Sequence, residues 1–186
     1  MTAQVKPGGP GQLIVLSGPL CAGKSTLAAC LRQHRGAEVI TAREILTTLG
    51  ADPTNRRDLQ LRGAELERTT QGRWLLDGVV DRLATSNSVI RVVDSIRTTR
   101  QASLFRAQFP DVFLLHLTAV ETVLRERFLA SVEGVASGEA TMDRMFSHEV
   151  ERNADSVRTL ADSVIDTSSK AVDDICTEAL ATIRWT

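Results

Sequence analysis

The run Gln12–Ser17, QLIVLS, is apolar at almost every position and stops at a glycine. A strand with one wet face alternates apolar and polar residues. A near-continuous apolar run suits a strand covered on both faces. Four further short runs follow: AEVIT (Ala37–Thr41), SVIRVVD (Ser88–Asp94), VFLLHL (Val112–Leu117) and SVID (Ser163–Asp166). Stretches of helical character separate them. Leu27, Cys30 and Leu31 would share one helix face, and Ile45, Leu46 and Leu49 another. Thr41 with Glu44, and Thr118 with Glu121, have capping-box spacing just after a strand. Asp52-Pro53 resembles an N-cap with proline in the first helical turn, and Pro110 should end a helix begun near Thr99. Strand–helix alternation of this kind predicts a three-layer α/β domain over residues 12–186, a five-stranded parallel sheet with helices on both faces. Ligands then bind beyond the C-terminal strand ends. Residues 1–11, rich in glycine and proline, read as a flexible lead-in.

The first run leads into Gly18-Pro19-Leu20-Cys21-Ala22-Gly23-Lys24-Ser25, which satisfies G-x-x-x-x-G-K-[ST] in full between a predicted strand and a predicted helix. Gly18 and Gly23 open backbone torsions closed to other residues, so successive amides can surround phosphate oxygens. The helix N-terminus adds partial positive charge. The spacing therefore predicts a nucleotide cradle from Gly18, Cys21, Ala22, Gly23, Lys24, Ser25 and Thr26. Ser25 would be a ligand for Mg²⁺. Cationic charge in this chain is carried almost wholly by arginine; lysine occurs only at positions 6, 24 and 170. An ammonium is compact enough to enter a ring of amides, where a planar guanidinium is not.

Beyond the third run, Asp94 would lie at the same rim as this loop, with Arg97 and Arg100 just after it. A carboxylate there can hold magnesium-bound water, and Arg97 can pair in a fork with phosphate oxygens. The net charge of −1 argues against a nucleic-acid binder, and no apolar run approaches membrane-spanning length. The N-terminus lacks a signal-peptide segment. Cys21, Cys30 and Cys176 show no metal-ligand spacing and no even disulfide set, which fits a reducing, cytoplasmic setting.

The segment VVDSIRTTRQASLF resembles the D-G-F-P-R-T-x-x-Q-A stretch of adenylate kinase and other nucleoside monophosphate kinases, with Asp94 and Arg97 at the acid and the arginine. Ser95 stands where glycine is usual, and the proline is missing. SIR also resembles dephospho-CoA kinase-like and deoxynucleotide kinases, and DLQLRGAEL resembles the L-Q-x-x-G-x-E stretch of the latter. The resemblance implies a P-loop kinase fold with a small helical lid. It implies ATP and Mg²⁺ as cofactors, with Ser25 and Asp94 at the metal. The acceptor region would be a helical segment at about 42–86. Arg43, Arg57 and Arg97 are its substrate-binding candidates, and Arg56, Arg62 and Arg68 are further cations in the same stretch. The T-G-D-x-[LI]-R pattern of adenylate kinase is absent, which puts adenylate in doubt. Trp74 could stack on a base, although its spacing with Leu75 suits a core.

The lid would run over about 125–152, around the small-residue stretch SVEGVASGEAT, with Arg125 and Arg127 before it and Arg144 and Arg152 after it. A lid excludes water that would otherwise take the phosphoryl group. His148 and Glu149 read as ordinary helix residues. Thr167, Ser168 and Ser169 would border the base. The expected activity is transfer of the ATP γ-phosphoryl to a small-molecule phosphate acceptor, first a nucleoside or deoxynucleoside monophosphate. Lys24, Asp94, Arg97, Arg125 and Arg127 would be the catalytic set. A hydroxyl acceptor, with Asp94 as base, is the first alternative. A non-catalytic ATP-binding regulatory module is the second. No nucleic acid or membrane partner is expected, and the chain would act as a monomer or homodimer.

Overall fold

The computed structural model describes residues 11–131 and 156–185. Five strands form one parallel sheet: β1 (Gln12–Ser17), β2 (Glu38–Thr41), β3 (Ile90–Asp94), β4 (Phe113–Thr118) and β5 (Ser163–Asp166). Their spatial order is β2-β3-β1-β4-β5. All five predicted strands are present, displaced at most two residues at an end. Among the described residues, seven α-helices lie in the connections: α1 (Lys24–Arg35), α2 (Ala42–Thr48), α3 (Arg56–Thr70), α4 (Arg73–Thr85), α5 (Thr99–Gln108), α6 (Glu121–Ala130) and α7 (Val172–Thr182). A short 3₁₀ turn, Val157–Leu160, precedes β5.

The apolar run of β1 is buried at all six positions, because the strand is covered on both sides. Leu13 and Val15 join one core with Ile40, Val93 and Leu114, packed under α2–α5. Ile14 and Leu16 join the other with Val39, Val92, Leu115 and Leu117, packed under α1, α6 and α7. Period-two alternation thus sends successive side chains into separate cores. Register fixes the functional edge. Asp94 lies opposite Leu16 in β1 and opposite Thr41 in β2. Ser17 lies opposite His116, and Thr118 opposite Asp166. Five strand ends therefore open on one rim.

The local signals fared unevenly. The Thr41–Glu44 capping box forms in both directions. The Thr118–Glu121 box does not. Thr118 stays in β4, and Val120 caps α6 without a side-chain bond. Asp52 is not an N-cap. Its carboxylate accepts from the Thr54 hydroxyl and amide in a tight turn, which holds its pKa below the usual carboxylate range. Asn55 caps α3 instead, accepting from the Asp58 amide. Of the predicted α2 face, Ile45 and Leu46 are buried but Leu49 is exposed at the helix end. Pro110 does follow the end of α5.

The cysteines depart most from expectation. Cys30 of α1 and Cys176 of α7 form a disulfide across 146 residues of sequence. No local spacing betrays a pair this remote; only docking of α7 against α1 brings them together. Among the described residues, no helix is long and apolar enough to cross a membrane.

Phe105 is fully buried and has Phe109 as a ring neighbour 6.3 Å away. Phe105→Ala should lower unfolding free energy by about 3–5 kcal/mol, read as a reduced urea midpoint at unchanged slope.

Candidate functional site

The loop between β1 and α1 curls back over the C-terminal end of β1. Gly18 has φ 134° and Gly23, at the N-cap of α1, has φ 94°. Gly18 is required twice over: its torsion is closed to other residues, and a Cβ there would meet the Leu117 carbonyl oxygen at 2.2 Å. At Gly23 the demand is torsional alone, since nothing lies within 4 Å of where a Cβ would sit. Cys21 also adopts a left-handed conformation, φ 61°. Alternating backbone handedness is what turns consecutive amides toward a common anion. Lys24 folds back across the loop. Its Nζ donates to the carbonyl oxygens of Gly18 at 2.8 Å and Pro19 at 2.6 Å. An ammonium spanning the loop mouth, at the N-terminus of a twelve-residue helix, fits a polyphosphate.

Ser25 and Asp94 meet at the rim. The Ser25 hydroxyl donates to Asp94 Oδ2 at 2.8 Å, across 69 residues of sequence. A hydroxyl and a carboxylate in contact beside a phosphate cradle form a donor set suited to Mg²⁺, which prefers few protein oxygens and keeps its waters. The Ile96 amide donates to the Leu16 carbonyl at 3.0 Å, securing the turn after Asp94 to β1.

That turn has a brace absent from the sequence reading. Glu67, near the end of α3, accepts from Trp74 Nε1 at 3.0 Å, Thr98 Oγ1 at 3.0 Å and Gln101 Nε2 at 2.7 Å. Gln101 in turn accepts from the Arg97 amide at 2.8 Å. Gln101 is almost wholly buried. One carboxylate thus joins α3, α4 and α5 to the backbone of Arg97. Trp74 belongs to this brace and to the core; it is not an exposed stacking surface. No sequence signal marks Glu67 as turned inward: α3 buries only Leu59 and is otherwise half-buried or exposed.

A second brace lies behind the loop. Thr167, just after β5, is fully buried. Its hydroxyl reaches the Ala22 carbonyl at 3.2 Å and the Thr118 carbonyl at 3.1 Å. Arg127 of α6 donates to that hydroxyl at 2.9 Å and to the Thr167 carbonyl at 2.6 Å, and approaches the Cys21 carbonyl at 3.5 Å. Arg127 is therefore tied to the base of the phosphate loop. Ser168 donates its hydroxyl to Asp166 at 2.6 Å and its amide at 2.8 Å. These bonds hold the Asp166 carboxyl below its ordinary pKa. Ser17 Oγ and His116 Nδ1, both buried, lie 3.0 Å apart where β1 meets β4.

The remaining candidates are distributed as follows. Arg43 and Arg97 are exposed, each just beyond a strand end at the rim. Arg57 is exposed in the first turn of α3, and Thr26 in the first turn of α1. Arg62 binds the Leu49 carbonyl and Glu65, which gives it a local structural role. Arg100 bonds Gln71. Arg125 pairs with Glu121 at 2.8 Å, one helical turn away. The expected lid beyond Ser131, with Arg144, His148, Glu149 and Arg152, lies outside the described residues.

No family model matches the sequence, and no curated protein does. Solved structures do match in fold. A gluconokinase from Sinorhizobium meliloti 1021 superposes with a TM-score of 0.63 at 18% identity, over 93% of this chain and 91% of that one. An APS kinase of Mycobacterium tuberculosis, in complex with AMPPNP and APS, gives 0.64 at 12% identity, over 93% and 97%. A shikimate kinase from Aquifex aeolicus gives 0.61 at 15%, over 92% and 95%. The architecture, a five-stranded parallel sheet covered on both faces and opening on a glycine-rich loop, is the three-layer P-loop fold that these structures share.

Gly18→Ala should abolish nucleotide retention, because the new methyl must displace either the loop or Leu117; equilibrium dialysis with a labelled adenosine triphosphate reads this directly. Glu67→Ala should cost on the order of 2–4 kcal/mol of stability by stranding three donors, measured by urea denaturation.

Proposed function

We propose that the chain is an ATP-dependent phosphotransferase that moves the γ-phosphoryl group to a small anionic acceptor. The observation that carries this reading is the meeting of Lys24, Ser25 and Asp94 at one rim, beside a loop whose backbone alternates in handedness. The loop amides and Lys24 would hold the β- and γ-phosphates. Ser25 and Asp94 would hold Mg²⁺, which when bound neutralises developing charge on the phosphates. Arg43 and Arg97 stand at the ends of β2 and β3 on the acceptor side of Asp94, where they would receive the acceptor's negative charge. Arg57 would extend that side along α3. Arg125, on the helix leading to the expected lid, would act from the opposite side, and Arg127 would serve catalysis from behind, by holding the loop through Thr167 and the Cys21 carbonyl. Positioning and fixed charge would supply most of the rate enhancement.

The acceptor atom is best read as a hydroxyl. Asp94, one hydrogen bond from Ser25, can take the proton that a hydroxyl must lose. The names of the similar structures, gluconokinase, APS kinase and shikimate kinase, support the same reading. The DSIR segment and the pair of exposed rim arginines favour a second reading, a nucleoside or deoxynucleoside monophosphate whose phosphate is itself the acceptor. We place the protein in the cytoplasm, where ATP and such acceptors are abundant.

The test is release of ADP against a panel of sugar acids, hydroxylated carboxylates, phosphosulfate nucleotides and nucleoside monophosphates. One acceptor class should stimulate release, and Lys24→Ala should reduce the stimulated rate at least about a hundredfold, the scale of losing a charge contact in a site closed to water. ATP binding without stimulation by any acceptor would instead mark a regulatory module.

A further inference from the structure

Away from the rim, α1 and α7 bring three metal-binding side chains together. Cys30 and His34 are one turn apart on α1, so they share a helix face. Cys176 faces them from α7, with a Cα–Cα distance of 6.1 Å to Cys30. The two sulfurs and an imidazole nitrogen of His34 all lie within 4.8 Å of one another. Both cysteines are buried, whereas His34 is exposed. A disulfide needs only the two sulfurs. The imidazole adds a third soft donor on the solvent side, where a metal would enter and a water could complete four-coordination.

We propose that Cys30, Cys176 and His34 form a thiol-dependent binding site for Zn²⁺, closed when the cysteines are oxidised to the disulfide and open when they are reduced. A dithiol reductant supplies two electrons and two protons. The Cys30–Cys176 bond breaks, two thiols form, and the reductant's own sulfurs join as a disulfide. Binding of Zn²⁺ then releases the two thiol protons to solvent, and two thiolates balance the charge of the ion. Zinc–sulfur bonds of about 2.3 Å and zinc–nitrogen bonds of about 2.0 Å place tetrahedral ligand atoms roughly 3.3–3.8 Å apart. The ligand atoms of the three residues already lie within 4.8 Å of one another, and on reduction the two sulfurs part from bonding distance to reach the tetrahedral spacing. The helix bearing the site is the one whose N-terminus carries Lys24 and Ser25, so the ion would grip the scaffold of the phosphate loop from its far end.

The full chain, reduced anaerobically and freed of reductant, is titrated with Co²⁺ as a spectroscopic stand-in and then with Zn²⁺. One equivalent of Co²⁺ should give thiolate-to-cobalt charge-transfer bands that Zn²⁺ bleaches. Oxidised protein should give none. Cys30→Ser and Cys176→Ser should each abolish the bands, and Cys21→Ser should leave them. His34→Ala alters only an exposed side chain, so the variant should fold, confirmed by circular dichroism, and should bind at least about tenfold more weakly. Reduced protein without the bands, bands that survive loss of Cys30 or Cys176, or His34→Ala affinity equal to the parent would each overturn the proposal.

Discussion

Burial of β1 on both faces is the constraint from which the rest follows. A strand with no wet face must receive helices from both sides, and its neighbours must run parallel so that the connecting helices can reach either face. Parallel pairing brings every strand to its C-terminal end at the same rim. The glycine-rich loop, Asp94 and the end of β2 are neighbours there for that reason, although they are far apart in sequence. The Ser25–Asp94 hydrogen bond is then a product of register: Leu16 opposite Asp94 puts the carboxylate beside the first turn of α1.

The loop itself is held from two directions. In front, the Lys24 ammonium spans the carbonyls of Gly18 and Pro19. Behind, Thr167 and Arg127 engage the carbonyls of Ala22 and Cys21. A left-handed cysteine and two glycines would otherwise be free to relax, so these contacts preserve the inward turn of the amides. Preorganisation of this sort matters because fixed dipoles need no reorientation when charge arrives.

Much of this arrangement could be read from residues alone. The five strands were visible because apolar runs between helical stretches have few other solutions, and the phosphate loop because its glycines, lysine and serine sit at fixed offsets. What escaped was whatever depends on distant pairing. The Cys30–Cys176 bond joins helices at opposite ends of the chain. Thr167 looked like a residue facing a ligand, yet it is buried against the loop. Glu67 carries no sequence signal that separates it from the other charges of α3, and only its three donors from α4 and the start of α5 reveal its role. Capping signals fell between these extremes: the Thr41 box formed, but Thr118 was kept by its strand ladder, and Asp52 preferred a turn two residues long. Backbone pairing and local side-chain bonds compete for the same groups, and the stretch of sequence alone does not say which wins.

The Glu67 brace also limits how the domain can be remodelled. A methyl group on Gly72 would sit 3.1 Å from Glu67 Oε1 and 3.3 Å from Gln101 Cγ, so the carboxylate, the glycine and the glutamine are fitted to one another. Helices α3 and α4 are consequently no interchangeable cassette. Any lineage or engineer wishing to graft a different pair onto this sheet must keep Glu67 and Gly72 matched to Gln101 of α5, or rebuild the turn that follows Asp94.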